Sequence, residues 1–308
     1  MRNAGKIFFV FATIILAVAS CRASAADIRS LGKKAYIDPM VTVLVLSSRH
    51  PQSVRVFSQS KPGLTVTLGP DRFQSGACGV SLVGDYVGVR CGGVESQQYR
   101  SVVFEDVSGP VGVEIKGDVT RRYRGKIFIE ADETSLKIVN QLPLEEYLIS
   151  VAGNELDSDK IEAMKAQAIV ARTVAIRNRG SHGVIDFCDL THCQDYNGME
   201  GESKRAAEAV KLTRGQIVTY KDRPAELYYH STCGGHTVSP DPAWGLKKLA
   251  DAPYLSGVDD DENCAGSPHY TWSVMLTPAQ LRQLEIEGLQ GALIDIKVKD
   301  KTPEGRVS

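Results

Sequence analysis

The fold turns on the stretch from Ser135 to Val151. Ser135-Leu136-Lys137-Ile138-Val139 alternates apolar and polar side chains, the period of a strand with one buried face. Leu144 to Val151 changes to a helical spacing, with Pro143 suited to the first turn, where its missing N–H costs nothing. Upstream the texture is β: Val41-Thr42-Val43-Leu44-Val45, Ser53 to Phe57, Leu64 to Leu68, Val111 to Ile115 and Lys126 to Ile129 are short runs rich in β-branched residues, separated by Gly, Pro, Asp and Ser. Downstream, Asp159 to Arg179 predicts the longest helix, with Asp159 and Glu162 as a capping pair and Gly180 ending it. A further helix is expected from about Glu202 to Leu212, strands at Gln216–Tyr220 and Ala225–His230, and a short helix at Thr277–Ile286. The class is α+β, a β-rich N-terminal region followed by a mixed helix and strand region. The last residues, Asp295 to Lys299 and Gly305 to Ser308, read as hairpin arms without a full partner strand, as expected of a chain truncated at its C-terminus.

The 308 residues carry 36 Lys+Arg against 37 Asp+Glu. That balance argues against a general nucleic-acid binder, which needs a basic surplus to displace counterions. The first 25 residues hold Arg2, Lys6 and Arg22 and no acid, so their removal would make the remainder more acidic. They have the parts of an export signal: a basic head, an apolar run from Ile7 to Ala19, and a small-residue cleavage site at Ala23-Ser24-Ala25. Val18-Ala19-Ser20-Cys21 also resembles a bacterial lipobox, so cleavage after Ala25 and lipidation at Cys21 both stand as readings. Either places the protein outside the cytoplasm, in a periplasm or cell envelope, in the second case as a lipoprotein with a lipid anchor. Without Cys21, six cysteines remain, an even number that suits disulfides in an oxidising space. Proximity suggests Cys78–Cys91 and Cys233–Cys264.

On a helical wheel, Ile161, Met164, Ala168, Ile169, Ala171, Ala175 and Ile176 form one arc, and Ala163, Ala166, Val170 and Val174 face the other way. A helix apolar nearly all round is packed on most sides. Lys165 and Arg172 fall within the first arc and need anionic partners, since an unpaired buried cation costs several kcal/mol. Glu145, Glu146 and Asp186 are the candidates within the fold, and an external anion is the other. Upstream, Gly153-Asn154-Glu155-Leu156 puts an acid between two helices, either solvated or turned into a cleft.

These residues carry a resemblance. Leu142-Pro143-Leu144-Glu145-Glu146-Tyr147-Leu148 with Val151-Ala152-Gly153-Asn154-Glu155, then Glu162 to Thr173, then Thr191-His192-Cys193-Gln194-Asp195-Tyr196, and finally Tyr228-Tyr229-His230-Ser231-Thr232-Cys233-Gly234-Gly235-His236-Thr237 together resemble the SpoIID/LytB family. The likeness runs from about Val111 to Ser308. It divides the chain into a signal peptide (1–25), a β-rich region (26–110) and a SpoIID-like catalytic domain (111–308). The family implies peptidoglycan. Its catalytic members are lytic transglycosylases that cut denuded glycan strands and leave 1,6-anhydro-N-acetylmuramic acid ends; its other branch stimulates a cell-wall amidase without cutting sugar. By resemblance Glu155 matches the catalytic acid. Lys165 and Arg172 match basic residues lining the cleft, and Tyr229, His230 and Ser231 would face the glycan. The family's Met-Pro after the acid is Leu156-Asp157 here. One carboxyl suffices for the chemistry, because no water is activated on the opposite face of the sugar. Such an acid needs a pKa raised by a partly apolar wall.

His182, Cys188, His192 and Cys193 are close in sequence, and two Cys with two His can complete a tetrahedral zinc shell. The spacing is not that of a standard finger, but relatives bind zinc at a similar position. The readings are a structural zinc, with no cofactor required for the chemistry, or a Cys188–Cys193 disulfide with two surface histidines. Trp244, Tyr254 and Trp272 read either as core aromatics or as platforms for sugar rings.

Overall fold

The computed structural model describes residues 36–61, 63–92, 94–239 and 252–277, with 280, 297, 298 and 301. The export signal, the lipobox at Cys21, Trp244, most of the helix expected at Thr277–Ile286 and most of the C-terminal hairpin lie outside the described residues. Two compact units are present, one reaching to Ala225 and one starting at Glu226.

The first unit is built on two sheets. The larger joins β1 (Met40–Val45), β3 (Leu64–Leu68), β4 (Asp71–Ser75), β8 (Ser101–Glu105), β11 (Lys126–Ala131), β12 (Leu136–Pro143) and β13 (Phe187–Cys188), in the order β13-β1-β12-β11-β8-β3-β4. The smaller joins β2 (Ser53–Phe57), β5 (Ala77–Val83), β6 (Tyr86–Cys91), β7 (Val94–Tyr99), β9 (Val111–Ile115) and β10 (Val119–Tyr123), in the order β10-β9-β2-β5-β6-β7. Alternation decides which face is inward. In β12, Leu136, Ile138, Asn140 and Leu142 are buried and the residues between them are not. Val56, Val80, Val89 and Val113 from the smaller sheet share one core with Val43, Val66, Phe104 and Ile129 from the larger. Cys78 and Cys91 face each other across β5 and β6 and are disulfide-bonded. Strands from both sides of residue 110 pair in the same sheets: β11 with β8, and β9 with β2.

In the first unit three α-helices follow β12. Strand and helix meet without a loop, for β12 ends at Pro143 and α1 (Leu144–Glu155) starts on the next residue. Pro143 is therefore the residue before the helix rather than part of its first turn. The Asp38 carboxylate accepts the Glu145 N–H at 3.1 Å, satisfying one of the orphan donors of α1 from far upstream in the chain. α2 (Ile161–Arg177) is buried through Ala171–Ile176. The expected capping pair does not form. Lys160, not Asp159, precedes the helix, no side chain caps it, and Glu162 binds Lys165 instead. α3 (Lys204–Leu212) has the cap its sequence suits, with Ser203 Oγ accepting the Ala206 N–H at 3.0 Å. Strand pairing at Gln216–Tyr220 is confined to β14 (Thr219–Tyr220), which meets β15 (Arg223–Pro224), and Ala225–His230 is irregular rather than a strand. The class is α+β with a β-rich N-terminal region.

In the second unit the Thr232–Thr237 segment is tied to residues 258–267. Thr237 N–H donates to Val258 O at 2.8 Å, Asp260 N–H to Gly235 O at 2.9 Å, and the Thr232 and Ser267 hydroxyls are 2.6 Å apart. Trp272 is exposed and Tyr254 is largely so; neither is a core residue.

Candidate functional site

Glu155 is the last residue of α1 and half-buried. The Asp195 N–H donates to its Oε1 at 3.0 Å, and Asn154 Nδ2 donates to Asp195 O at 3.2 Å, so two neighbouring residues of α1 grip the main chain of Asp195 in the 194–197 loop. That loop is held from below. Gln194 is buried, donating to Ala171 O at 3.2 Å and accepting from Tyr147 OH at 3.3 Å. Tyr196 is buried and its hydroxyl donates to Asn140 Oδ1 at 2.6 Å. Asn140 in turn donates to the carbonyls of Arg124 and Lys126, which fixes its orientation. The Tyr147 ring lies between Phe187 and Tyr196, with centroids 5.3 and 5.0 Å away. Asn197 donates from Nδ2 to Asp195 Oδ1 at 3.1 Å, and Arg121 Nη2 donates to Asn197 Oδ1 at 2.8 Å. Small residues let the next turn approach: a Cβ on Gly153 would collide with the backbone oxygen of Gly201.

Sequence reasoning names Glu155 but gives Asp195 and Arg121 no role. Asp195 acts on Glu155 through its backbone N–H, which no side-chain pattern announces. Arg121 belongs to β10, whose alternation puts it on the face of Val119 and Tyr123 but says nothing of its partner Asn197.

Arg172 is corrected. Its side chain has no solvent exposure and its guanidinium is fully engaged, so it cannot line a cleft. Nε donates to Glu145 Oε1 at 2.9 Å and Nη2 to Oε2 at 2.7 Å, a bidentate pair, and Nη1 reaches Gln216 O at 3.1 Å. Among the three acids of the fold that its position allowed, the partner is Glu145. Lys165 is partly exposed and pairs with Glu162 one turn before it, at 2.9 Å. Tyr229, His230 and Ser231 belong to the second unit.

The structure brings His182, Cys188, His192 and Cys193 together, all four ligand atoms lying within 4.8 Å of one another. His182 Nε2 is 3.1 Å from Cys193 Sγ, and His192 Nε2 is 3.2 Å from Cys188 Sγ. A tetrahedral zinc with ordinary Zn–N and Zn–S bonds sets such atoms about 3.5 Å apart, so the donor set fits that ion in kind, number and spacing. Cys188 and Cys193 are thiols rather than a disulfide. Burial above all pushes the Cys188 thiol up to about 11, so at neutral pH it ionises only against a cation. A cleft of about 440 Å³ adjoins this cluster, lined by Arg177, Arg179, His182, His192, Cys193 and Gln194 among others. Gln194 thus links the cluster to the loop that holds Glu155.

A family model described as "SpoIID: Stage II sporulation protein" matches residues 132–220, the segment that contains α1, α2, the 194–197 loop and the Cys/His cluster. Among curated proteins, one from Brachyspira hyodysenteriae is 34% identical over 165 residues, covering 52% of this chain and 42% of the relative. Stage II sporulation protein D of Bacillus subtilis is 29% identical over 200 residues, covering 59% and 57%. The amidase enhancer of Bacillus subtilis is 30% identical over 135 residues, covering 44% and 17%. The chain thus spans about half the length of the first of these relatives. No solved structure matches significantly. The segment from β12 to β14, which contains Glu155, thus carries the likeness of this chain to the SpoIID family.

Proposed function

We propose that this protein acts on the bacterial cell wall, outside the cytoplasm, as a lytic transglycosylase of denuded peptidoglycan glycan strands. The observation that carries the reading is Glu155, half-buried at the end of α1 with Oε1 held by the Asp195 N–H. With Oε1 accepting that bond, the proton of the acid form sits on Oε2. Glu155 gives this proton to the glycosidic oxygen as the bond from the muramic anomeric carbon breaks and positive charge develops on the ring. The muramic 6-hydroxyl oxygen then bonds to the anomeric carbon and its proton passes to Glu155, which returns to the acid form. No water is consumed, and the product ends in a 1,6-anhydro ring.

The 194–197 loop supplies positioning. Its buried Gln194 and Tyr196 lock the peptide that holds the carboxylate, so the acid needs no reorganisation when substrate arrives. A zinc ion held by His182, Cys188, His192 and Cys193 would be structural here, fixing the segment that runs directly into Gln194 and Asp195. Tyr229, His230 and Ser231 are proposed glycan contacts, and Lys165 a contact for muramyl lactate carboxylates.

The likeness to an amidase enhancer supports a second reading, in which the chain binds glycan and recruits a cell-wall amidase without cutting sugar. Mass spectrometry of denuded glycan incubated with the purified protein separates the two. Anhydro-terminated fragments that vanish with Glu155→Gln are expected. Intact glycan, with stimulation of an added amidase, would replace the first reading by the second.

A further inference from the structure

Outside the site above, the second unit gathers another set of soft ligands. Cys233, Asp260 and Cys264 place two sulfurs and a carboxylate oxygen within 4.8 Å of one another. The two Sγ atoms are 3.7 Å apart, well beyond a disulfide bond of about 2.05 Å. Two thiolates on one tetrahedral zinc, with Zn–S bonds of about 2.3 Å, stand about 3.8 Å apart. We propose that Cys233, Asp260 and Cys264 form a second metal site, for a zinc-class divalent ion, with three protein ligands and an open fourth position.

The surrounding backbone builds the site. Cys233 is buried and leads into Gly234 and Gly235, both at positive φ (73° and 100°), a tight turn that presents the sulfur. The other two ligands come from the turn 260–264, where Cys264 N–H donates to Asp260 Oδ2 at 3.0 Å and Asn263 N–H to Asp260 O at 3.0 Å. Asp261 and Glu262, neither of them glycine, both lie in the left-handed region (φ 49° and 57°), a costly conformation that a bound ion would repay. The His236–Asp259 bridge and the Asp260 N–H bond to Gly235 O clamp the two turns together, so the ligand spacing is set by main chain. Cys233 is the buried member and Asp260 and Cys264 are half-exposed, which leaves an entry path and room for a water or substrate oxygen.

The test counts zinc and thiols in the full chain, and needs no wall substrate. Elemental analysis of protein purified in zinc should give two ions per chain, one in Cys188→Ser/Cys193→Ser and one in Cys233→Ser/Cys264→Ser. Asp260→Asn keeps both sulfurs and should weaken competition against a chromophoric zinc chelator at this site alone, which covers the case of a serine variant that does not fold. In denaturant with chelator and no reductant, the wild type should titrate two more thiols than Cys233→Ser/Cys264→Ser. Equal thiol counts with a mass two hydrogens lower would show a Cys233–Cys264 disulfide and overturn the proposal. A zinc content unchanged by Cys233→Ser/Cys264→Ser would overturn it equally. Neither result bears on Glu155, and loss of glycan cleavage would leave this site untouched.

Discussion

Arg172→Met is the sharpest test of how the helical layer is held. The native guanidinium is fully buried, makes two short bonds to Glu145, whose side chain is only 6% exposed, and reaches the carbonyl of Gln216. Methionine fills much of the volume but leaves the carboxylate without its counterion. Breaking a buried pair in this way costs about 3–5 kcal/mol. Glu145 keeps one donor, the Gly215 N–H at 3.3 Å, so the lower half of that range is expected. For a unit of this size about 2–4 °C of Tm goes with each kcal/mol, giving a drop of about 6–16 °C. Urea denaturation followed by tyrosine fluorescence reads the midpoint, and the double variant Arg172→Met/Glu145→Leu should recover most of the loss, since a well-packed apolar pair is often as stable as a buried ion pair. An Arg172→Met protein with an unmoved midpoint and weakened glycan binding would refute the argument and return this residue to the cleft.

Gly153→Ala should cost about 1–3 kcal/mol, because the added methyl meets backbone rather than a yielding side chain; an unchanged urea midpoint would mean the two segments are looser than described. Burial raises the Glu146 pKa, so the fold binds its proton more tightly than the unfolded chain does, and the stability tied to that proton is lost as pH rises through the raised value. Glu146→Gln should therefore raise Tm at pH 7 and leave it little changed near pH 4; equal shifts at both would speak against this. On the zinc reading, chelation should lower Tm and slow glycan cleavage together, and zinc should restore both. A melting curve that ignores the chelator would dismiss a metal at His182, Cys188, His192 and Cys193.

Alternation made much of the sheet architecture legible. Ser53–Phe57, Leu64–Leu68 and Val111–Ile115 are strands to the residue because each buries apolar side chains on a regular face. Asp71–Ser75 left no such mark. It is an edge strand with almost every side chain exposed, paired with β3 through main-chain bonds. Ala225–His230 has the composition of a strand but is irregular, its Ala225 N–H reaching Val218 O and its Glu226 N–H the Tyr254 hydroxyl, and composition does not decide strand pairing. At the candidate site, the need of Arg172 for an anion was evident from its arc, while the choice of Glu145 over Glu146 or Asp186 depended on where β12 delivers α1. The bond from Asp195 to Glu155 was invisible because it is made by main chain. The Cys/His quartet was visible as composition, and only folding turned a sequence cluster into a spatial one.

Strand β1 lies between β12 and β13, with Val43 opposite Asn140 on one side and Phe187 on the other. The family match starts at residue 132, so the strand that bridges the two ends of the helical segment is contributed from far upstream of it. During synthesis β1 emerges early and stays incomplete until both distant neighbours arrive, a topology that favours slow, late closure. An excised 132–220 piece would carry the acid and the quartet yet expose a missing rung at its heart. Attempts to transplant this segment onto another scaffold must therefore bring Met40–Val45 along, or supply a surrogate ribbon in its slot.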